Sequence, residues 1–194
     1  RNNVEGWRFR FGFETNPRFR PQDGPDRFLK KFYFTGYLAY GTKDRDFKYL
    51  AYTRLNLPRK NDRWQSLQFM YRYDMRVPGQ DENQTLLTFD NIVTLISGRV
   101  LKKIMKVSEF NVSYEKEYFK GFSAITSFTE KTFFDIPGVF DFTKANQDLP
   151  QRIPKFNVSE FTIDTRYSYK DQYFVNNFFR YFMTSKYPVF MLRY

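Results

Sequence analysis

Residues 4–14 read VEGWRFRFGFE, and in this stretch aromatic side chains alternate with charged or small ones. One parity holds Trp7, Phe9, Phe11 and Phe13, and the other holds Arg8, Arg10, Gly12 and Glu14. Successive side chains of a β-strand point to opposite faces, so this stretch predicts a strand that is aromatic on one side and polar on the other. A soluble sandwich buries such an aromatic face in its core, whereas a transmembrane β-barrel turns it to lipid and lines its lumen with the polar face.

The composition favours the barrel over the sandwich. Aromatic side chains make up 22% of the 194 residues, with 25 Phe and 15 Tyr, yet the mean hydropathy is −0.66. A soluble core of this size draws mainly on Leu, Ile, Val and Ala, whereas dense Phe and Tyr are typical of the aromatic girdles of outer-membrane barrels. A chain of this length normally forms one domain, and we expect residues 1–194 to be a single β-barrel segment.

The basic charge of the chain is spread rather than clustered. The net charge is +11, and the basic residues recur on the polar parity of the predicted strands and in loops. We therefore expect a basic lumen and basic loops that face lipopolysaccharide phosphates. A single-stranded nucleic-acid platform needs aromatic and basic side chains on one face. In residues 7–10 the two types fall on opposite faces, so we expect no nucleic-acid partner.

Little in the sequence points to catalysis or to metal binding. There is no Cys and no His, which removes disulfides, thiol chemistry, Ser-His-Asp triads and imidazole metal sites. Glu115 and Glu117 share a strand face at a spacing that suits glycosidases, but any polar strand face has this spacing. The acidic loop residues with oxygen ligands for Ca²⁺ are Asp44, Asp46, Asp81 and Glu82. Solvated turns are the expected role of those residues, so we predict no catalytic residue, cofactor or metal.

The same two-residue alternation recurs along the chain and predicts an all-β, antiparallel, up-and-down meander of about nine strands. Most are close to the length that spans a bilayer at a tilt. The predicted strands are residues 4–14, 32–42, 47–57, 64–74, 107–119, 122–134, 156–169, 174–184 and 189–194. Residues 85–106 have an apolar spacing closer to that of a helix, which predicts a short helix inside a long loop.

The loop lengths predict an orientation in the membrane. Connections of a meander alternate between the two ends of the sheet, and the two longest loops, 74–107 and 135–155, fall at the same end. Bacterial barrels have long outer loops and short periplasmic turns. We therefore expect these two loops to lie outside the cell.

Parity assigns named side chains to the two faces of the predicted barrel. The basic residues expected to face the lumen are Arg8, Arg10, Arg54, Arg72 and Arg166. The aromatic residues expected to face lipid are Trp7, Phe9, Phe11, Phe13, Phe69 and Tyr71. An open lumen ringed by arginine would favour anions, as in phosphate-selective pores.

Five segments of the chain resemble a family of Bacteroidota outer-membrane proteins. They are VEGWRFRFGFETNPRF (4–19), GYLAYGTKDRDFKY (36–49), FMYRYDM (69–75), VSYEKEYFKGFS (112–123) and SKYPVFMLRY (185–194). Those proteins couple an N-terminal carboxypeptidase-regulatory-like domain to a C-terminal β-barrel of unknown function. The resemblance covers most of the chain in the same order and is strongest in the first 75 residues. Its motifs are structural, so no catalytic residue is implied.

The resemblance implies an integral outer-membrane protein that anchors a surface, transport or secretion assembly. Its expected partners are outer-membrane lipid, lipopolysaccharide and other outer-membrane proteins. The resemblance also implies that the chain is an internal part of a larger barrel, and the appended domain favours a plugged barrel over an open pore. The alternative from a different class is a soluble, aromatic-rich β-sandwich that binds glycans or a protein partner. Such a module would purify without detergent, whereas a barrel segment would need it.

Overall fold

The computed structural model describes residues 5–15, 32–57, 63–76, 105–136, 142–143, 152–175, 178–183 and 185–194. The strands are β1 Arg8–Glu14, β2 Phe32–Gly41, β3 Phe47–Asn56, β4 Gln65–Arg76, β5 Met105–Phe119, β6 Phe122–Phe134, β7 Phe142–Thr143, β8 Arg152–Ile153, β9 Lys155–Ser168, β10 Tyr173–Val175, β11 Arg180–Phe182 and β12 Val189–Arg193. Eight of them form one antiparallel sheet in the order β1-β2-β3-β4-β5-β6-β9-β12. The predicted all-β, antiparallel meander is therefore confirmed.

The register keeps side chains of one parity together across the whole sheet. Phe11 of β1 lies opposite Leu38 of β2, and Leu38 lies opposite Tyr49 of β3. On the other parity, Arg10 lies opposite Ala39, and Ala39 lies opposite Lys48. The ladders keep this parity from β1 to β12, apart from a register shift between Glu117 and Phe119 at the end of β5, so the sheet has one aromatic face and one polar face. We call the second one the polar face.

Burial is inverted between the two faces. On the polar face, Lys48 has 0% of its surface exposed and Glu109 has 1%, whereas Phe11 on the aromatic face is 73% exposed. A flat single sheet would expose both faces equally. The sheet therefore curves with its polar face on the inside, and the charged side chains bury one another there. No helix among the described residues is long and apolar enough to cross a membrane.

Two elements differ from the sequence prediction. The single strand predicted over residues 174–184 is wrong, because β10 and β11 pair only with each other and β12 pairs directly with β9. Phe178 between them is 1% exposed, so tertiary contacts on the polar face override the local alternation. The short helix predicted within residues 85–106 lies outside the described residues, except that 105 and 106 begin β5.

The connections divide between two ends of the sheet. β2, β4 and β6 finish at one end of the sheet, which we call the long-loop end. β3, β5 and β9 finish at the opposite end, which we call the hairpin end because β10 and β11 follow β9 there. The strand ends that flank the two loops expected to share one end, 74–107 and 135–155, lie together at the long-loop end. The predicted loop 135–155 also contains the two-residue strands β7 and β8.

The turn between β5 and β6 requires glycine, and this gives a stability prediction. Gly121 has a φ of +87°, and a Cβ atom on it would collide with the carbonyl oxygen of Ser168. Replacing it by Ala adds left-handed strain to a backbone clash, so we expect Gly121→Ala to lower the free energy of unfolding by about 2–4 kcal/mol. Urea unfolding of the purified protein, followed by tryptophan fluorescence, measures this change.

Gly12→Ala is the matched control for this prediction. A Cβ atom at Gly12 would lie 3.5 Å from the nearest backbone oxygen, which is an ordinary contact. We expect this variant to unfold within about 1 kcal/mol of the wild type, since mid-strand glycine weakens a strand slightly. Equal losses in the two variants would contradict the assigned turn geometry.

Candidate functional site

The polar face is the candidate functional site, because the chain concentrates its buried charges there. The register from β1 to β9 brings all five arginines predicted for the lumen onto this face: Arg8, Arg10, Arg54, Arg72 and Arg166. Of the six predicted aromatics, Phe9, Phe11, Phe13, Phe69 and Tyr71 lie on the opposite face. Trp7 precedes β1 and is 65% exposed.

A buried ammonium group organises the polar face at the long-loop end. Lys48 has a side chain that is 0% exposed, and its Nζ lies 3.2 Å from Glu5 and within hydrogen-bond reach of Asp44. The side chain of Glu5 is 3% exposed and that of Asp44 is 13% exposed. A buried ammonium is tolerated only when it is paired, so this arrangement needs both carboxylates. It ties the turn after β2 to the segment that precedes β1.

Arg8 and Asp74 extend this network across β1 and β4. The guanidinium of Arg8 lies 2.8 Å from a carboxylate oxygen of Asp74, and the hydroxyl of Tyr37 donates to the same oxygen. Arg10, two residues further along β1, stacks its guanidinium 3.6 Å from the centre of the Tyr37 ring. The strands are three positions apart in the sheet, so direct contact between β1 and β4 side chains requires the curvature inferred from burial.

The middle of the polar face holds a second ion-pair cluster beside an open cavity. Arg72 pairs with Glu109, and Arg76 lies 3.3 Å from the same carboxylate. The cavity has a volume of about 420 Å³ and is lined across five neighbouring strands, from Met70 on β4 to Arg193 on β12. Hydroxyl and amide side chains supply much of its remaining wall: Asn111, Ser127, Thr129 and Thr162.

At the hairpin end, two buried glutamates of β5 face two arginines. Glu115 lies 2.7 Å from Arg54 of β3 and 2.8 Å from Arg180 of β11. Glu117 lies 3.1 Å from Arg180 and accepts a hydrogen bond of 3.1 Å from the hydroxyl of Tyr173. The two carboxylates considered as a catalytic pair are therefore each engaged by a guanidinium. Their negative charges are thus compensated by arginines of the same chain.

Aromatic rings enclose the same guanidinium groups. Arg54 lies 5.8 Å from the centre of the Trp64 ring and 5.2 Å from that of Phe179. Phe178 and Phe179 pack on Tyr33 of β2, with ring centres 5.4 Å and 4.9 Å apart. Trp64 is 2% exposed and Phe178 is 1% exposed. An enclosed aromatic cluster thus joins the β10–β11 hairpin to the polar face.

The fifth predicted arginine fixes the base of that hairpin. Arg166 of β9 holds Asp171 through two hydrogen bonds of 2.5 Å and 3.0 Å. Its guanidinium also stacks 3.8 Å from the centre of the Phe182 ring on β11. Lys170, beside Asp171, has a φ of 52°, so the chain turns sharply there. The turn directs β10 and β11 over the polar face instead of along the sheet edge.

The acidic turn residues are engaged by lysines. Asp44 accepts from Lys48, and Asp46 lies 2.5 Å from Nζ of Lys106 and accepts a 3.2 Å hydrogen bond from Tyr73. Burial alone would raise the pKa of Asp46, but its hydrogen bonds and charge pairing, chiefly with Lys106, outweigh burial and leave the pKa below its ordinary value. A carboxylate held in this way is an ion-pair partner that fixes the turn to β5.

No metal cluster is formed within the part of the chain that the structure describes. There, no group of three or more His, Cys, Asp or Glu residues stands close enough to hold an ion. Asp81 and Glu82, named above as possible Ca²⁺ ligands, lie outside the described residues.

The two-residue alternation predicts some of the buried charged residues but not Arg180. Lys48 and Glu109 fall on the polar parity of their strands, so the alternation places both on the polar face. Arg180 belongs to the hairpin that the sequence assigns to a wall strand. Its place between Glu115 and Glu117 depends on the fold of residues far apart in the chain.

Comparisons of the chain with protein-family models, with curated proteins and with solved structures find no match. Its function is therefore inferred from the two faces of the sheet and from the charges that they carry. The polar face has internally paired ions and a half-open cavity, and the aromatic face has exposed rings.

The burial of Lys48 gives a prediction that can be measured. Lys48→Met removes the ammonium and leaves the buried carboxylate of Glu5 without this partner. Breaking one side of a buried ion pair is strongly destabilising, so we expect a loss of about 3–5 kcal/mol in the free energy of unfolding. Urea titration of the purified variant gives the value.

Lys131→Met is the control for the loss of a lysine. Lys131 lies 3.4 Å from Glu160, whose side chain is 51% exposed. A pair this open to solvent contributes about 1 kcal/mol or less. Equal destabilisation by the two substitutions would show that the buried ion pairs of Lys48 contribute no more to stability than the exposed pair of Lys131.

Proposed function

We propose that this chain forms part of the wall of an outer-membrane β-barrel that anchors a larger assembly. The observation that carries the proposal is the inverted burial of the sheet. Charged side chains are buried on the concave polar face, and aromatic side chains are exposed on the convex face. Exposed aromatic rings are favourable against lipid acyl chains, whereas a large apolar face is unfavourable in water.

The aromatic stripe of β1 argues against the soluble sandwich. A sandwich buries its aromatic face under a second sheet. Phe9 is 67% exposed, Phe11 73% and Phe13 46%. Among the described residues, the two small sheets β7–β8 and β10–β11 are the only others besides the large one, and neither is large enough to cover this face. Exposure on this scale favours contact with lipid acyl chains.

The state of the arginines favours a structural role over anion transport. Arg8, Arg54, Arg72 and Arg166 each pair with a carboxylate of the same chain. Basic rings select anions when their charge is available to the permeating ion. Here the acidic partners neutralise the charge, so the polar face acts as a packed, internally compensated surface.

Among the described strands, the sheet has two open edges, at β1 and at β12. In the described part of the chain, β1 and β12 each pair with one neighbour only. An unpaired strand edge in lipid leaves backbone groups without partners, at a cost of several kcal/mol each. The proposed barrel therefore includes further strands beside β1 and β12. Its proposed partners are lipid, lipopolysaccharide and other outer-membrane proteins, and no catalytic step is assigned to it.

Membrane fractionation tests this proposal. The full chain, as made in a Gram-negative host, should stay with the outer membrane after alkaline carbonate extraction and should be released only by detergent. A monodisperse species recovered from detergent-free buffer would contradict the barrel and favour the soluble binding module.

A pair of substitutions to arginine tests which face of the sheet contacts lipid. Phe11→Arg places a charge on the aromatic face near the middle of β1. At mid-bilayer such a charge costs about 2–4 kcal/mol, so we expect a marked loss of folded protein in the outer membrane. Heat-modifiable mobility on gels measures the folded fraction.

Ser127→Arg is the control on the polar face. Ser127 lines the 420 Å³ cavity, where a long charged side chain has room and polar neighbours. We expect this variant to fold and insert like the wild type. If Ser127→Arg blocks insertion while Phe11→Arg does not, the faces are assigned the wrong way round.

A further inference from the structure

We propose that the β10–β11 hairpin is a plug for the polar channel, latched at the hairpin end by Arg180. This inference deepens the proposed barrel function and rests on it. The hairpin strands pair only with each other, and the hairpin lies against the polar face. A wall strand would instead continue the ladder after β9, a place that β12 occupies.

The latch is a guanidinium enclosed by two carboxylates and three rings. The side chain of Arg180 is 3% exposed and lies 2.8 Å from Glu115 and 3.1 Å from Glu117. Its guanidinium also lies 4.6 Å from the centre of the Phe182 ring, 5.1 Å from that of Tyr173 and 6.0 Å from that of Trp64.. If Arg180 leaves this pocket, Glu115 and Glu117 stay buried without their shared partner, and this cost opposes lifting of the hairpin.

The hairpin reaches across the polar face rather than touching one strand. Near its tip, Phe178 and Phe179 pack on Tyr33 of β2. At the other side, Phe182 stacks on Arg166 of β9. These two strands are five positions apart in the sheet, about 24 Å along its surface. The hairpin therefore bridges the concave side and obstructs the passage along it.

The plug is built to move without disturbing the wall. β9 pairs with β12 over five residue pairs, from Val189 opposite Ser168 to Arg193 opposite Asp164. Lifting the hairpin leaves these ladders intact, because none of them uses a β10 or β11 residue. Side-chain contacts hold the hairpin down: Asp171 at its base pairs with Arg166 of β9, and Arg180 of β11 pairs with both Glu115 and Glu117 of β5.

Planar-bilayer conductance of the full-length protein tests the plug. Wild type should be closed, and Arg180→Ala should raise the open fraction about 100-fold, because the two buried glutamates lose their shared partner. Arg180→Lys keeps the charge without the forked geometry and should give an intermediate open fraction. A wild type that conducts as well as Arg180→Ala would overturn the proposal.

Arg193→Ala is the control for the loss of a polar-face arginine outside the hairpin. Arg193 sits on β12 and also pairs with a carboxylate, Asp164, but its side chain is 66% exposed and borders the cavity, whereas that of Arg180 is 3% exposed. Its removal should leave the channel closed. Opening of both variants to the same extent would indicate general loosening of the sheet, which contradicts a specific latch.

Hydrogen exchange separates failure of the plug from failure of the barrel. Amide exchange at residues 178–183 of the purified protein needs no bilayer, and it should rise in Arg180→Ala but not in Arg193→Ala. If the protein does not insert into membranes but shows this rise, the barrel fails and the latch stands. Unchanged exchange in Arg180→Ala overturns the latch in either case.

Discussion

The structure depends on the mutual pairing of charges on the concave face of one curved sheet. The buried charged residues of the described chain are Glu5, Lys48, Asp74, Glu109, Glu115, Glu117 and Asp171, and each has an oppositely charged neighbour. A buried ion without a partner costs several kcal/mol, so curvature and charge pairing require each other. Curvature then leaves the convex face with its aromatic rings outward. Both faces follow from one period-two pattern.

That pattern predicts the wall of the sheet well, because alternation and strand geometry share the same period. The predicted strands 32–42 and 122–134 match β2 and β6 to within one residue. The segment 174–184 fails because a hairpin laid on a polar face needs the same alternating side chains as a wall strand. Only contacts with Tyr33, Glu115 and Glu117, distant in the chain, decide between them.

The sequence predicts which arginines lie on the polar face, but it does not predict the ion pairs that they form. Parity puts Arg54 and Arg72 on one face, and both lie there. Their partners Glu115 and Glu109 come from β5, and pairing across strands depends on a register that sequence alone leaves open. An arginine-lined, anion-selective surface and a neutral, closed one therefore look alike in sequence. In the folded chain, most of these arginines form ion pairs with carboxylates of the same chain. This pairing favours a barrel wall with a plug over an open pore.

In the proposed barrel, one parity of β1 faces lipid and the other faces a polar interior. Because these 194 residues contain no cysteine, single cysteines can be placed at successive positions 8–13 and labelled with nitroxide in the full-length protein in bilayers. Labels at positions 9, 11 and 13 should be accessible to lipid-soluble oxygen, and labels at 8, 10 and 12 to a water-soluble nickel complex. Equal water accessibility at both parities, or odd positions shielded from both reagents, would rule out a lipid-facing aromatic face.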